Sequence, residues 1–417
     1  MLKIFKILFI YIILLYSFGN AKEYKKNNSK KVISATLNIN YGDISYKINK
    51  KGNSSDKAIY SNLQVNYDYY YNRLHFQMTP YMYFYDTQDG KKLRNGNKNL
   101  PYKKEDIFFR SFYISYLITN TTSIGVGILP FSNSNFLRYE NNFINDGEGL
   151  SMLNDSNLMS VFFRTKVNNT KIVGGVGTLN SFMPMGSYQL ESIRKGTTTL
   201  FLTSDTYFNK NNNLRMINEI LYSNIKYNNK YNISKLYLLG TGLSYDDSLN
   251  TGLVYYGTFG ISIYKNNNID AKESILKTNK IPNYIYKNYP GQFDFNNKTY
   301  IGAAYLLGIR KDFDMFKHDF YINLKWFHTY NDWTSANIGS PYNVSFNSTY
   351  NVRNNAYFAQ IGLNINSKSS IGFSLEKIEV KKISKVGATM DTIPYKDSIF
   401  PLPHEVNILK IKYIYRF

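Results

Sequence analysis

The chain contains no cysteine. A disulfide framework, a thiolate metal site and a lipidated N-terminal cysteine are therefore excluded. Histidine is scarce, and His75, His318, His328 and His404 stand at no metal-ligand spacing. Proline (10) and tryptophan (2) are also few, and 29 acidic residues face 50 basic ones. Beyond residue 21 no apolar run approaches the ~18–20 residues that a spanning helix needs. If such a chain enters a membrane, it must cross by strands, and lipid tolerates strands only in a closed barrel. The competing reading is a soluble secreted β protein. Catalytic signatures are missing too: there is no G-x-S-x-G elbow, P-loop or dinucleotide fingerprint. Gly174-Gly175-Val176-Gly177 lies in a strand with no helix after it, so close backbone packing explains it better than phosphate binding. His318 and Asp319 are adjacent, yet no catalytic constellation stands out. The chain reads as neither an enzyme nor a nucleic-acid binder, and no cofactor or metal is expected.

What is present begins with an export leader. Lys3 and Lys6 precede the apolar stretch Leu8 to Leu15, and Gly19-Asn20-Ala21 offers small residues where a signal peptidase reads. Residues 1–21 are expected to be a signal peptide and 22–417 the mature protein. Forty tyrosines suit a membrane–water boundary, since the ring is apolar and the tip polar. The abundance of Lys, Asn, Ile and Tyr also matches an AT-rich coding sequence. The net charge of +21 suggests affinity for anions or lipid phosphates.

Period-two alternation dominates the rest. It predicts an all-β chain of about sixteen strands (fourteen to eighteen), near 32–41, 60–70, 74–85, 106–118, 122–129, 158–167, 171–179, 197–208, 214–227, 232–245, 251–264, 299–311, 318–330, 355–366, 369–380 and 405–417. Connections alternate in length. Tight turns such as Tyr71-Asn72-Arg73, Asn168-Asn169-Thr170 and the stretch Asp312 to Lys317 alternate with long segments at 42–59, 86–105, 130–157, 180–196, 265–298, 331–354 and 381–404. Only 228–231 breaks the rhythm. A bacterial outer-membrane barrel has an even strand number, short periplasmic turns and long outer loops. A two-sheet sandwich has no reason to alternate in this way.

The faces of the strands carry the same message. Ile33, Ala35, Leu37 and Ile39 alternate with Ser34, Thr36, Asn38 and Asn40, while strands seven and nine give no clear face and Glu219 fits neither register. Charges facing lipid near the midplane cost ~2–4 kcal/mol, so charged residues belong in the inward register. Alternation then puts Arg164, Lys166, Lys325, Lys410 and Lys412 on the lumen wall. In the last strand Leu409, Ile411, Tyr413, Tyr415 and Phe417 form an apolar face that ends with the given sequence. A strand of this kind can pair with the first strand and leave no edge.

Tyr413-Ile414-Tyr415-Arg416-Phe417 resembles the outer-membrane insertion signal, an alternating aromatic strand closed by Phe. Together with the loop rhythm, the chain resembles the sixteen- to eighteen-stranded porins over almost its whole mature length. The resemblance implies recognition of Tyr413, Tyr415 and Phe417 by the barrel-assembly machinery. It also implies contact with outer-membrane lipid and lipopolysaccharide, small hydrophilic solutes as cargo, and, for a general porin, a homotrimer. It further implies that the third outer loop, 130–157, folds into the barrel. Asp146 and Glu148 would then face the wall cations at a constriction, with Arg138, Glu140 and Asp155 as further members. Wall lysines and arginines would favour anions. The alternative is a surface barrel acting as an adhesin through its long loops.

Overall fold

The computed structural model describes residues 29–48, 52–87, 105–130, 157–179, 198–208, 213–227, 230–267, 269–271, 297–316, 318–331, 352–383 and 403–417. They form sixteen strands: β1 (Ser29–Ile48), β2 (Gly52–Tyr71), β3 (Leu74–Thr87), β4 (Glu105–Leu117), β5 (Thr122–Pro130), β6 (Asn157–Val167), β7 (Thr170–Leu179), β8 (Thr198–Tyr207), β9 (Leu214–Tyr227), β10 (Tyr231–Asp247), β11 (Leu253–Asn266), β12 (Thr299–Met315), β13 (His318–Asn331), β14 (Val352–Asn364), β15 (Ser369–Ile383) and β16 (Pro403–Arg416). Each pairs antiparallel with its sequence neighbours, and β1 pairs with β16, so the sheet is a closed barrel. Every predicted strand is present. No described helix is long and apolar enough to cross a membrane.

Closure runs from Thr36↔Arg416 to Ile48↔Pro403, and the Phe417 N–H donates to the Ala35 carbonyl at 3.0 Å. No edge is left to template aggregation. At one end the strands join through tight turns. Asn72 (φ 51°) and Asn168 (φ 50°) take the left-handed conformation that asparagine tolerates and a two-residue hairpin requires. At the other end most connections are long.

Two expectations about connections need correction. The segment 42–59 is not a long loop: β1 and β2 continue to Ile48 and from Gly52, paired throughout. The residues there, Tyr41 to Ser45 and Ser54 to Ile59, still suit a pleated ladder, so pairing extends further than the apolar signal. The stretch Asp312 to Lys317 is likewise not all turn. β12 runs to Met315, which places Asp312 in the wall.

Facing follows from the register. In β11, Tyr256 is 5 % exposed and the next residue inward is Thr258, whereas Tyr255, at 46 %, and Phe259 point outward. Carried through the paired strands, this parity puts Phe112, Ile114, Val161, Phe163, Leu200, Leu239, Leu324, Leu375 and Ile411 on the outer surface, all exposed. An outward apolar belt on a closed barrel is a lipid face. Exposed tyrosines Tyr69, Tyr71, Tyr116, Tyr245 and Tyr255 ring its short-turn end, and Tyr237, Tyr330 and Tyr357 stand toward the opposite end. These are the two aromatic girdles of a transmembrane barrel.

Because the chain has no cysteine, facing can be tested residue by residue. Gln360 and Ile361 are neighbours in β14, the first in the lumen register and the second outward. In lipid vesicles, a charged maleimide is expected to label Gln360→Cys and leave Ile361→Cys unmodified. Equal labelling of the two would contradict the assigned faces.

Candidate functional site

The inner wall is lined by rings laid over glycines. Phe162 of β6 sits opposite Gly125 of β5, and a β-carbon at Gly125 would meet the ring at 2.5 Å. Phe201 covers Gly175, Tyr256 covers Gly308 and Tyr321 covers Gly362 in the same way. The bare backbone of one strand receives the ring from its neighbour, so these large side chains lie along the wall and do not project toward the axis. This accounts for Gly174-Gly175, which was read as a packing motif: Gly175 meets Phe201 on the lumen side, and Gly174 meets Phe163 on the lipid side.

The lumen wall is also more apolar than simple alternation suggests. Ile217, Leu221, Leu236, Leu238 and Phe327 face inward and are buried in one connected band. Strand nine therefore carries apolar residues on both faces, Met216 and Ile220 outward and Ile217 and Leu221 inward. That is why its alternation gave no signal. Register with β8 and β10 settles it: Glu219 pairs with Thr203 and Gly240, faces the lumen and is buried.

The predicted wall cations Arg164, Lys166, Lys325, Lys410 and Lys412 all stand at inward register positions. Lys325, halfway along β13, lies over the Phe358 ring with its Nζ 5.0 Å from the centroid. Lys410 of β16 approaches Glu376 of β15 at 3.7 Å, and Lys412 follows on the same face. These strands thus bring Lys325, Lys410 and Lys412 to one wall around the buried carboxylate of Glu376. Arg164 and Lys166 stand on a different wall, in β6 near the short-turn end. Asp146, Glu148 and Arg138 lie outside the described residues, as does segment 1–21.

Arg164 reaches across β5. The lumen side of β5 carries only Ser123, Gly125 and Gly127 between Leu129 and the turn, so nothing blocks the path to β4. An Arg164 Nη1–H donates to the Tyr113 hydroxyl at 2.8 Å, and the guanidinium lies over the Tyr113 and Phe162 rings, 4.6 and 5.0 Å from their centroids. Tyr113 meets Phe162 edge-on at 5.4 Å and His75 edge-on at 5.5 Å, while Tyr70 stacks on His75 at 4.2 Å. His75 in turn holds Asp68 at 2.8 Å.

Two further wall arginines are committed to carboxylates. Arg215 makes two bonds to Asp205, at 2.7 and 2.9 Å. Arg310 donates to Asp312 at 2.6 Å and lies 3.9 Å above the Tyr321 ring. The Tyr256 hydroxyl donates to Asn323 at 2.6 Å, a bond that Gly308 permits by leaving room for the ring. Sequence reading missed Tyr113, Lys171, Glu219 and Glu376 as lumen groups. For Glu376 a signal existed, since it alternates with Phe373 and Leu375; Lys171 lies in a strand whose alternation gives no face, and the Tyr113 role depends on β5 being bare, which only the pairing reveals. Among the described residues no group of three or more His, Asp or Glu could hold a metal ion.

No known family profile matches the chain, and no curated protein does. Solved structures do. OccAB1 of Acinetobacter baumannii aligns over 92 % of this chain and 96 % of its own, with a TM-score of 0.51 and 9 % identity. An anion-selective porin from Comamonas acidovorans aligns over 93 % and 100 %, with a TM-score of 0.50 and 10 % identity. OmpF of Salmonella typhi, in a complex with daunomycin, aligns over 95 % and 100 %, with a TM-score of 0.50 and 10 % identity. At such identities the likeness is one of architecture, and it agrees with the strand count, closure and outward belt derived above: the chain carries the closed sixteen-stranded fold of the outer-membrane porins.

Proposed function

We propose that this protein is an outer-membrane porin, a passive channel for small hydrophilic solutes or ions, with a preference for anions. The observation that carries the reading is the closed sixteen-stranded wall with Lys325, Lys410, Lys412, Arg164 and Lys166 in its inward register. Barrels of this strand number leave an aqueous channel, and a ring of basic groups favours anions. On this reading residues 1–21 direct export and are removed. Segment 130–157 folds inward, so that Asp146, Glu148 and Arg138 face the wall cations. The short-turn end is periplasmic, the outward belt meets lipid and lipopolysaccharide, and three copies associate. Tyr413, Tyr415 and Phe417 lie on the outward face of β16, where the assembly machinery can reach them.

The test is electrical. The refolded barrel, placed in a planar bilayer, is expected to give stepwise conductance, and a KCl gradient to give a zero-current potential of the sign set by chloride. Replacing Lys325, Lys410 and Lys412 together by Gln should lower the anion-to-cation permeability ratio several-fold while leaving the barrel folded. A silent bilayer from a demonstrably folded barrel would remove the channel reading and leave the adhesin reading, through the long loops.

A further inference from the structure

The hairpin of β6 and β7 carries three cations on one lumen face. Lys166 pairs directly with Lys171 across the hairpin, and Arg164 precedes Lys166 by one inward position. Like charges placed opposite one another destabilise a sheet. Among the described residues none of the three forms an ion pair, and the single hydrogen bond from the Arg164 guanidinium goes to the neutral Tyr113 hydroxyl. The carboxylates on the adjoining strands are already engaged. Asp205, in register with Lys171, spends both oxygens on Arg215. Asp68, on the far side of Tyr113, is held by His75. Lys166 and Lys171 are exposed, and Arg164 is half-buried against Tyr113 and Phe162.

Two features set this patch apart from basic groups that merely keep a lumen wet. The guanidinium is positioned. Two rings and a hydroxyl fix its plane, and the bare β5 beside it leaves most of its donors open to the lumen. A planar, oriented guanidinium matches the paired oxygens of a carboxylate or phosphate. The two ammonium groups are point charges on flexible stems that can close on a second negative group. One negative charge would satisfy the arginine and leave the Lys166–Lys171 repulsion in place; two or more would relieve both.

We infer that Arg164, Lys166 and Lys171 form a docking station, near the short-turn mouth of the lumen, for small oxyanions carrying at least two negative charges. Tyr113 and Phe162 act as positioning residues for Arg164. This rests on the channel reading and narrows its solute class. Phosphate esters and dicarboxylates share the required chemistry, and both serve as probes.

The test uses the full barrel in a planar bilayer, with chloride current titrated by inorganic phosphate, succinate or acetate. Phosphate, succinate or both should reduce the current at lower concentration than monovalent acetate, and the more effective of the two names the natural class. Replacing Arg164, Lys166 and Lys171 by Gln is expected to weaken that inhibition about tenfold, as loss of charge-assisted bonds requires. The charge-matched Lys325→Gln, Lys410→Gln, Lys412→Gln variant should weaken it far less. Tyr113→Phe, which keeps the ring and removes only the hydroxyl, should give an intermediate loss of that inhibition. Equal weakening by the two triple variants, or acetate acting as strongly as the divalent anions, would overturn the docking station while leaving the channel intact. A folded barrel with no current would instead overturn the channel reading itself.

Discussion

Deleting residues 403–417 is expected to abolish the folded barrel: no heat-modifiable band on a gel and no conductance after refolding. The deletion removes every hydrogen bond that β16 makes to β15 and to β1. The remaining fifteen strands would expose two edges to lipid, where each unsatisfied backbone group costs several kcal/mol. No local repair is available, because β1 and β15 lie on opposite sides of the missing strand. Deleting Phe417 alone is a different experiment. It removes one terminal bond, from its N–H to the Ala35 carbonyl, and leaves the ladder from Thr36 to Ile48 in place. That variant should refold in detergent, while assembly in cells fails if the terminal aromatic is the recognition signal. A urea-resistant folded band from the chain lacking 403–417 would show that β16 does not close the barrel.

A charge on the lipid face gives the second large effect. Val161 and Val167 both point outward from β6, one at mid-strand and one at the short-turn end, and both are exposed on the protein surface. Arginine at the bilayer midplane costs ~2–4 kcal/mol and near the interface ~0–1 kcal/mol. Val161→Arg should therefore lower the unfolding free energy in lipid vesicles by that larger amount, and Val167→Arg should be close to neutral. The pair keeps residue type, strand and face constant, so depth in lipid is the only variable. Small, equal effects at both positions would mean that this face is bathed in water and that the molecule is not a membrane barrel.

Much of this was legible in the residues, and the reasons are physical. Strand positions could be read because one side of each strand meets hydrocarbon, and hydrocarbon enforces period-two alternation. Alternation and the pairing register agree in setting Arg164, Lys166, Lys325, Lys410 and Lys412 at inward positions, as the cost of an unpaired charge in lipid requires at mid-strand. The method failed where the inner wall is itself apolar. Ile217 and Leu221 erased the contrast in β9, and Glu219 could be placed only through its pairing with Thr203 and Gly240. It also failed at the β1–β2 end, where the ladder runs on to Ile48 and Gly52 although the apolar residues change parity, from odd positions in Ile33 to Ile39 to even ones in Ile44, Tyr46 and Ile48.

The sequence by itself determined the strand number to within two, most of the tight turns, the lipid-facing residues of the clearly alternating strands and the terminal strand that closes the ring. These are local properties, set by alternation and by turn residues within a few positions of one another. Only the tertiary structure decided which lumen groups meet. Tyr113 and Arg164 are 51 residues apart, and they touch because β5, lying between their strands, presents glycine to the lumen. Tyr256 bonds Asn323 because Gly308 leaves its ring a place to lie. Contacts of that kind depend on register and on what an intervening strand lacks. No periodicity along one strand records either, because both are properties of neighbours brought together by closing the sheet.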